Sequence, residues 1–205
     1  FASCVFASAG LVDCCSGAQI APNPNPVGNG IAVVGLDENT ESPFVNQGTI
    51  SVTATGTLTN SGHLQSDPGA LVDNNGSLVN TFVLSNAGAL SNQEGATFAN
   101  NATLTNLPGG LLENNTGVVN NAAGATIENP GSIRLSGSGS FSTVSPGFNN
   151  FGSLLNRSVA NLTNTSSTLL TNHFGAVLTN DGVTLNSNRA AITNQAGAEI
   201  QNAGV

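Results

Sequence analysis

The sequence predicts an all-β fold, a three-sided parallel β-helix (β-solenoid) with 20–22-residue coils and a non-repeating N-terminal arm. Two observations support this prediction. A short phrase, an apolar residue followed by any residue and then Asn, recurs along the chain, usually with Gly shortly before it. The copies also keep a fixed phase, since Asn60, Asn80 and Asn100 lie 20 residues apart. Repeats of this length indicate supersecondary units that stack on one another.

The spacing of the Asn residues sets the coil length. In the first half most steps are 6 or 8 residues, and every third step restores the 20-residue phase; in the second half the period is 22. Each coil therefore has room for three units, each a strand of about five residues with a tight turn. The Asn residues predicted at corners are Asn60, Asn80, Asn86, Asn100, Asn106, Asn120, Asn150, Asn172, Asn180, Asn194 and Asn202.

The phrase also predicts which side chains face the core. Residues i and i+2 of a strand point to the same side, so the apolar residue and its Asn both point inward. Apolar residues of successive coils then form columns, one of which is predicted to contain Leu58, Leu78, Phe98 and Val118. Asn tolerates the left-handed corner conformation, and stacked Asn side chains form hydrogen-bonded ladders. We therefore expect these Asn residues to be structural and not a ligand site.

The repeats divide the chain into two parts. Residues 1–47 do not repeat and are predicted to be an N-terminal arm or cap, and residues 48–205 a parallel β-helix of about seven coils. Between Gly131 and Gly147 a Ser/Gly-rich stretch interrupts the rhythm, which predicts an irregular coil or a bulging loop.

All three cysteines, Cys4, Cys14 and Cys15, lie in the arm. An odd number in an extracellular chain leaves one cysteine for an intermolecular bridge or a free thiol. Adjacent Cys14 and Cys15 would pair only under strain, which favours a bridge from Cys4 to one of them or a bridge between subunits. In the alternative interpretation, all three are small buried hydrophobic residues.

The composition argues against several classes of protein. Only 7% of the residues are charged, the formal net charge is −8, and Lys is absent. No basic patch for nucleic acid is therefore expected. No apolar run approaches the roughly 20 residues of a transmembrane segment. A disordered Asn/Gly/Ser-rich segment is the alternative fold, but low complexity alone does not require apolar residues two positions before Asn in a constant phase.

No catalytic, cofactor-binding or metal site is predicted. A polysaccharide-degrading β-helix needs clustered carboxylates on one face, whereas the 11 acidic residues of this chain are scattered. His63 and His173 have no Ser or Asp at a recognisable motif spacing, and each is expected to be a surface turn residue. The acidic loop 37–41 offers oxygen ligands for calcium, but its spacing matches no EF-hand. We expect a protein that is not an enzyme and has no cofactor.

The repeats resemble those of bacterial filamentous-haemagglutinin-like and autotransporter passenger proteins. The resemblance covers roughly residues 48–205 and rests on the Gly-x-apolar-x-Asn phrase, as in Gly88-Ala89-Leu90-Ser91-Asn92. Those proteins are secreted, surface-exposed right-handed β-helices, so the resemblance implies an extracellular or cell-surface location. Haemagglutinin-type secretion domains carry an Asn-Pro-Asn-Gly-Ile-like motif, which is split here between residues 23–25 and 29–31.

The end of the solenoid favours one function over the others. An open coil exposes unpaired backbone and apolar core, and the sequence ends three residues after a complete repeat unit. We therefore expect an extracellular structural protein whose copies stack head to tail, through a heterologous interface, into a filament or sheath. The candidate interface residues are Phe1, Val5, Phe6, Ile192 and Ile200.

Two alternatives are retained. The first is a surface adhesin, in which the solenoid is a stalk that presents a binding face to a surface or carbohydrate ligand. The second is a polysaccharide-degrading enzyme. Whether the purified chain polymerises at micromolar concentration distinguishes the filament from the adhesin.

Overall fold

The computed structural model describes residues 11–14, 17–122, 124–136, 140–144, 147–156, 161–165, 169–186 and 191–205. This part of the chain is all-β and forms a solenoid of about eight coils with roughly 21 residues each. The predicted fold class is thus confirmed. The described residues contain no helix of the length and apolar character that a bilayer crossing requires.

The strands are short, and most contain four residues. The first nine are β1 (Leu11–Cys14), β2 (Ala18–Gln19), β3 (Gly30–Val33), β4 (Leu36–Asn39), β5 (Phe44–Asn46), β6 (Thr49–Val52), β7 (Thr57–Asn60), β8 (His63–Ser66) and β9 (Leu71–Asn74). The next nine are β10 (Ser77–Asn80), β11 (Val83–Asn86), β12 (Ala89–Asn92), β13 (Thr97–Asn100), β14 (Thr103–Asn106), β15 (Leu111–Asn115), β16 (Val118–Asn121), β17 (Thr126–Asn129) and β18 (Ser132–Ser136). The last nine are β19 (Ser140–Val144), β20 (Gly147–Asn150), β21 (Ser153–Asn156), β22 (Asn161–Thr165), β23 (Leu169–Asn172), β24 (Val177–Asn180), β25 (Val183–Asn186), β26 (Ala191–Asn194) and β27 (Glu199–Asn202).

Three parallel sheets form the sides of the solenoid, because each strand from β3 on pairs with strands one coil away. Sheet 1 contains β1, β3, β6, β9, β12, β15, β18, β21, β24 and β27. Sheet 2 contains β2, β4, β7, β10, β13, β16, β19, β22 and β25. Sheet 3 contains β5, β8, β11, β14, β17, β20, β23 and β26. The chain passes from sheet 1 to sheet 2 to sheet 3 in each coil, and corner 3–1 denotes the turns between sheet 3 and the following strand of sheet 1.

The core follows from strand alternation. In most of the four-residue strands whose burial is described, the second and fourth side chains are buried and the other two face outward, as in β10, where Leu78 and Asn80 are fully buried. Leu58, Leu78 and Phe98 occupy paired positions on adjacent strands and stack in one column. Burial of such apolar side chains supplies the main favourable term in folding, about 1.5–3 kcal/mol for each large residue.

The fourth predicted member of this column is wrong. Phe98 pairs with Val119, and Asn100 pairs with Asn121, whereas Val118 is 39% exposed and Asn120 faces outward. This coil has 21 residues, because β15 runs one residue beyond its corner Asn. The phrase reads equally well one position later in Val-Val-Asn-Asn, and a shift by one residue moves every side chain of a strand to the other face.

The sheets extend further toward the N-terminus than the predicted boundary between residues 47 and 48. Asn39 pairs with Asn60, and Phe44 pairs with Leu64, so β4 and β5 continue the columns of the repeats. The described part of the predicted arm therefore belongs to the solenoid. Its repeats escape the sequence pattern because Val33 occupies an Asn position and Asp37 an apolar position.

The stretch predicted to be irregular, from Gly131 to Gly147, also differs from expectation. Its described residues form the regular strands β18 and β19, which pair in parallel with the coils on both sides. Leu135 replaces the corner Asn in β18, and Thr143 does so in β19. The Asn residue, which marks the repeat in the sequence, is missing here although the strand is present.

Most of the described connections between strands are turns of two or four residues. In the four-residue turn 67–70 the amide N–H of Ala70 donates to the carbonyl of Asp67 (3.0 Å), and Gly69 has φ = +85°. Pro68 precedes this Gly, which is the pattern of a type II turn. Several two-residue turns instead place a Gly against backbone. At Gly62 a Cβ atom would lie 2.1 Å from the carbonyl oxygen of Glu41, so a side chain does not fit there.

Candidate functional site

Hydrogen-bonded ladders of Asn side chains follow the three inner corners of the solenoid. At the end of sheet 2, Asn39 Nδ2 donates to Asn60 Oδ1 (2.7 Å), and Asn60 Nδ2 in turn donates to Asn80 Oδ1 (2.8 Å). The same ladder continues through Asn100 to Asn121. The ladder at sheet 3 contains Asn86, Asn106, Asn129, Asn150, Asn172 and Asn194. At sheet 1 the ladders contain Asn74, Asn92 and Asn114, and then Asn156, Asn180 and Asn202.

All of these amide–amide bonds point the same way. In each described pair the nitrogen belongs to the earlier coil and the oxygen to the later coil. The second N–H of the same amide donates to a backbone carbonyl, as from Asn60 to Val83 (2.7 Å) and from Asn80 to Thr103 (2.9 Å). Because two acceptors lie on the nitrogen side of these amides, their orientation is fixed. The ladders therefore give the solenoid a direction along its axis.

The N-terminal ends of two ladders are closed by other amides. Gln19 Nε2 donates to Asn39 Oδ1 (3.3 Å), and Asn29 Nδ2 donates to Asn25 Oδ1 (2.7 Å). Asn25 in turn donates to Asn46 Oδ1 (2.7 Å). These residues satisfy buried oxygens that have no corner Asn before them.

The ladders are interrupted at several of the described corners, and two of these interruptions leave a buried Asn oxygen without a donor. Ser66 occupies the corner position before Asn86, and Leu135 occupies the position before Asn156. Among the described residues, Asn86 Oδ1, Asn156 Oδ1 and Ser66 Oγ are buried without a hydrogen-bond partner. The Ser side chain is too short to reach the next amide, and the Leu side chain has no hydrogen-bond donor, so neither continues the ladder.

The last coil exposes residues that continue the core columns. Ile192 pairs with Leu170, and Ile200 pairs with Leu178, yet Ile200 is 41% exposed. A cavity of about 240 Å³ opens at this face, and it is lined by Leu178, Asn180, Thr184, Ile192, Ile200, Asn202 and Val205. The structure thus brings the two C-terminal interface candidates together. The other candidates, Phe1, Val5 and Phe6, lie outside the described residues.

The cysteine prediction is largely outside the described part of the chain. Cys4 and Cys15 are not described, and Cys14 is the last residue of β1, paired with Val33 at a corner position. The disulfide alternatives therefore stay predictions.

The charged side chains that the structure describes do not converge. Arg134 forms an ion pair with Glu113 on the outer face of sheet 1. Asp37 is buried and faces inward, whereas its neighbour Glu38 is outward and half-buried, so the strand separates two of the proposed calcium ligands. The described residues contain no group of three or more His, Cys, Asp or Glu side chains placed to hold a metal ion.

The two histidines lie on the outer surface in different settings. His63 is an outward residue of β8 and not a turn residue, and its Nε2 is 3.0 Å from Ser85 Oγ. His173 is in a turn at corner 3–1 and stacks on Phe151, with ring centroids 4.0 Å apart and an interplanar angle of 9°. Its ring nitrogens lie 3.1 Å from Asn149 Oδ1 and from Gln195 Oε1.

Sequence reasoning missed two surface features at this corner. One is the exposed Phe174, beside the stack of Phe151 and His173. The other is an apolar groove between the turns that contain Pro68 and Pro108. The Pro-Gly dipeptides and the aromatic residues next to corner Asn residues were the available signals, but only the register places them at one corner.

Comparison with protein-family models, curated proteins and solved structures finds no match.

Proposed function

We propose that this chain is a non-enzymatic structural protein of the cell surface or extracellular space, which stacks head to tail into a filament or sheath. The observation that carries the proposal is the set of unidirectional Asn ladders that continue the core from coil to coil. The low content of charged residues and the resemblance to secreted solenoid repeats support the extracellular location.

The ladders suit the chain to a mechanical role. Each coil is joined to the next by three parallel strand pairings and by buried amide–amide hydrogen bonds. One such bond contributes about 0.5–1.5 kcal/mol net, but loss of one partner leaves a buried group unpaired at a cost of about 1–3 kcal/mol. Because every coil repeats these links, bending or separating two coils breaks several of them together. A stiff rod is the expected result.

The direction of the ladders also determines how copies stack. A coil added at the C-terminal face extends the columns of Ile192 and Ile200 and must present Oδ1 acceptors to the amides of the previous coil. A second copy in the same orientation presents its N-terminal side, where β2 lies outside β4 and where the Oδ1 atoms of Asn39 and Asn25 already accept from Gln19 and Asn29. The joint therefore requires head-to-tail polarity and a local rearrangement of these closing amides.

Assembly can be tested with two neighbouring substitutions in β27. Ile200→Asp places a charge in the open core, and Gln201→Asp places one on the exposed outer face of the same strand. Sedimentation velocity and negative-stain electron microscopy at micromolar concentration should show filaments for the intact chain and for Gln201→Asp, but not for Ile200→Asp. An intact chain that stays monomeric at high concentration would instead favour the adhesin stalk. Equal filament formation by both variants would show that this face is not the joint.

A further inference from the structure

A groove of about 520 Å³ runs across corner 3–1 and results from unequal turn lengths. The turns 67–70 and 107–110 have four residues, while the turn between them, 87–88, has only two. The long turns form the walls and the short turn forms the floor. Since adjacent strands are about 4.8 Å apart, walls two coils apart are separated by about 10 Å.

The groove is lined entirely by Pro, Gly, Ala and Leu residues. Pro68 and Pro108 stand on the walls, Ala87 and Ala89 form the floor, and Leu111 is half-buried at the edge. An apolar recess with rigid Pro walls can hold an apolar side chain with little loss of conformational entropy.

An apolar side chain projects from the same corner further along the axis. Phe174 is 78% exposed and occupies the second position of the four-residue turn 173–176, as Pro68 does in the turn 67–70. Its ring lies on Gly197, where a Cβ atom would be 2.5 Å from the ring carbons. The absence of a side chain at Gly197 therefore leaves room for the ring beside the next turn.

We infer that two copies of the chain pair side by side and antiparallel, with Phe174 of each inserted into the groove of the other. Because groove and Phe174 lie on the same corner, a twofold axis between them makes both insertions at once. A parallel staggered arrangement makes only one insertion per pair of copies. The pairing rests on the self-assembly proposed above and supplies the lateral contact that turns single filaments into a sheath.

The size of the contact indicates a weak pair that is strengthened by repetition. An aromatic side chain buries about 150–250 Å², so two rings and the two matching groove surfaces bury roughly 600–1,000 Å². This is below the 1,200–2,000 Å² of a stable interface. Many such contacts along two filaments act together, since after the first contact the others form within the same assembly.

The lateral contact can be measured apart from end-to-end stacking in the Ile200→Asp background. Phe174→Ser and Ala87→Glu should each weaken dimerisation at least about tenfold in sedimentation velocity, because each removes the apolar match at both contacts. The matched controls are Phe82→Ser, which removes another exposed Phe at a different corner, and Ala102→Glu, in another two-residue turn. Both controls should leave the dimer unchanged, and circular dichroism should confirm that all variants fold.

A rescue variant separates direct contact from indirect effects. Phe174→Lys alone should abolish pairing, whereas Phe174→Lys combined with Ala87→Glu in one chain should restore it in a salt-sensitive form. Dimerisation unchanged by Phe174→Ser, or no rescue, overturns the inference. The inference is also overturned if Phe174→Ser loses binding to an immobilised polysaccharide while its dimerisation is unchanged, because Phe174 would then be part of a ligand-binding surface. In all these cases the head-to-tail test with Ile200→Asp still decides the proposed function separately.

Discussion

The side-chain nitrogen of Asn80 donates to the side-chain oxygen of Asn100 at 2.7 Å, and both side chains are fully buried. Asn80 also receives the corresponding bond from Asn60 one coil earlier. A buried polar residue that is satisfied on both sides by copies of itself specifies the register of the coils.

Replacing Asn100 by Ala should lower the free energy of unfolding by about 2–4 kcal/mol. The change leaves the Nδ2 donor of Asn80 and the Oδ1 acceptor of Asn121 without their ladder partner, and each unpaired group costs about 1–3 kcal/mol. Asn101→Ala, at the exposed neighbouring position, is the control. Urea unfolding measures both variants, and a similar small effect for the two would contradict a structural role for the ladder.

Replacing Ser66 by Asn should stabilise the protein by about 1 kcal/mol. The longer amide can donate to the buried Oδ1 of Asn86, which otherwise accepts no bond among the described residues, and a hydrogen bond contributes about this amount. Ser61→Asn, on the exposed side of a turn, serves as the control and should be neutral. Thermal unfolding followed by circular dichroism gives the comparison; a lower Tm for Ser66→Asn would indicate that the corner cannot hold the larger side chain.

Adjacent valines in β16 test the register directly. Val119→Asp buries an unpaired carboxylate in the core column and should cost several kcal/mol, as should Phe98→Asp in the preceding coil. Val118→Asp lies on the outer face and should change stability by no more than about 0.5 kcal/mol. Urea titration gives the free energy of unfolding of each variant. A larger loss for Val118→Asp than for Val119→Asp would support the 20-residue register predicted from the sequence.

Two kinds of glycine should respond differently to Ala. At Gly69 the backbone has φ = +85° with open space around the Cβ position, so Gly69→Ala should cost about 1–2 kcal/mol. At Gly62 the added Cβ would lie 2.1 Å from a backbone oxygen. Gly62→Ala must therefore displace two coils and should cost more than Gly69→Ala. Chemical denaturation of the two variants provides the test, and equal costs would show that the coils can separate locally.

Much of the fold could be predicted because the same residues repeat at a spacing that only one architecture explains. The pairings of Leu58 with Leu78 and of Asn150 with Asn172 follow directly from the 20- and 22-residue periods. Prediction was wrong at Val118, where an extra residue changed the coil length. It also stopped too early at residue 48, because Asp37 and Val33 hide strands that the backbone forms without the usual side chains.

The surface features were harder to predict from the sequence. Phe174 and Pro108 are 66 positions apart in sequence and belong to one corner only because of the lengths of the intervening turns. These turns have either two or four residues, a difference that a repeat pattern averages out. The core positions of Ile192 and Ile200, by contrast, follow from the 22-residue period, since they pair with Leu170 and Leu178.

The uniform direction of the Asn ladders has an electrical consequence. Each side-chain amide carries a dipole similar to that of a peptide unit, about 3.5 D, and within a ladder these dipoles point the same way along the axis, with their positive N–H ends toward the C-terminus. Hydrogen-bonded amides in a row polarise one another, so each ladder has a net dipole moment along the axis inside an apolar core. Two such rods repel side by side when parallel and attract when antiparallel, which gives a field-based preference for opposite orientation between laterally packed copies.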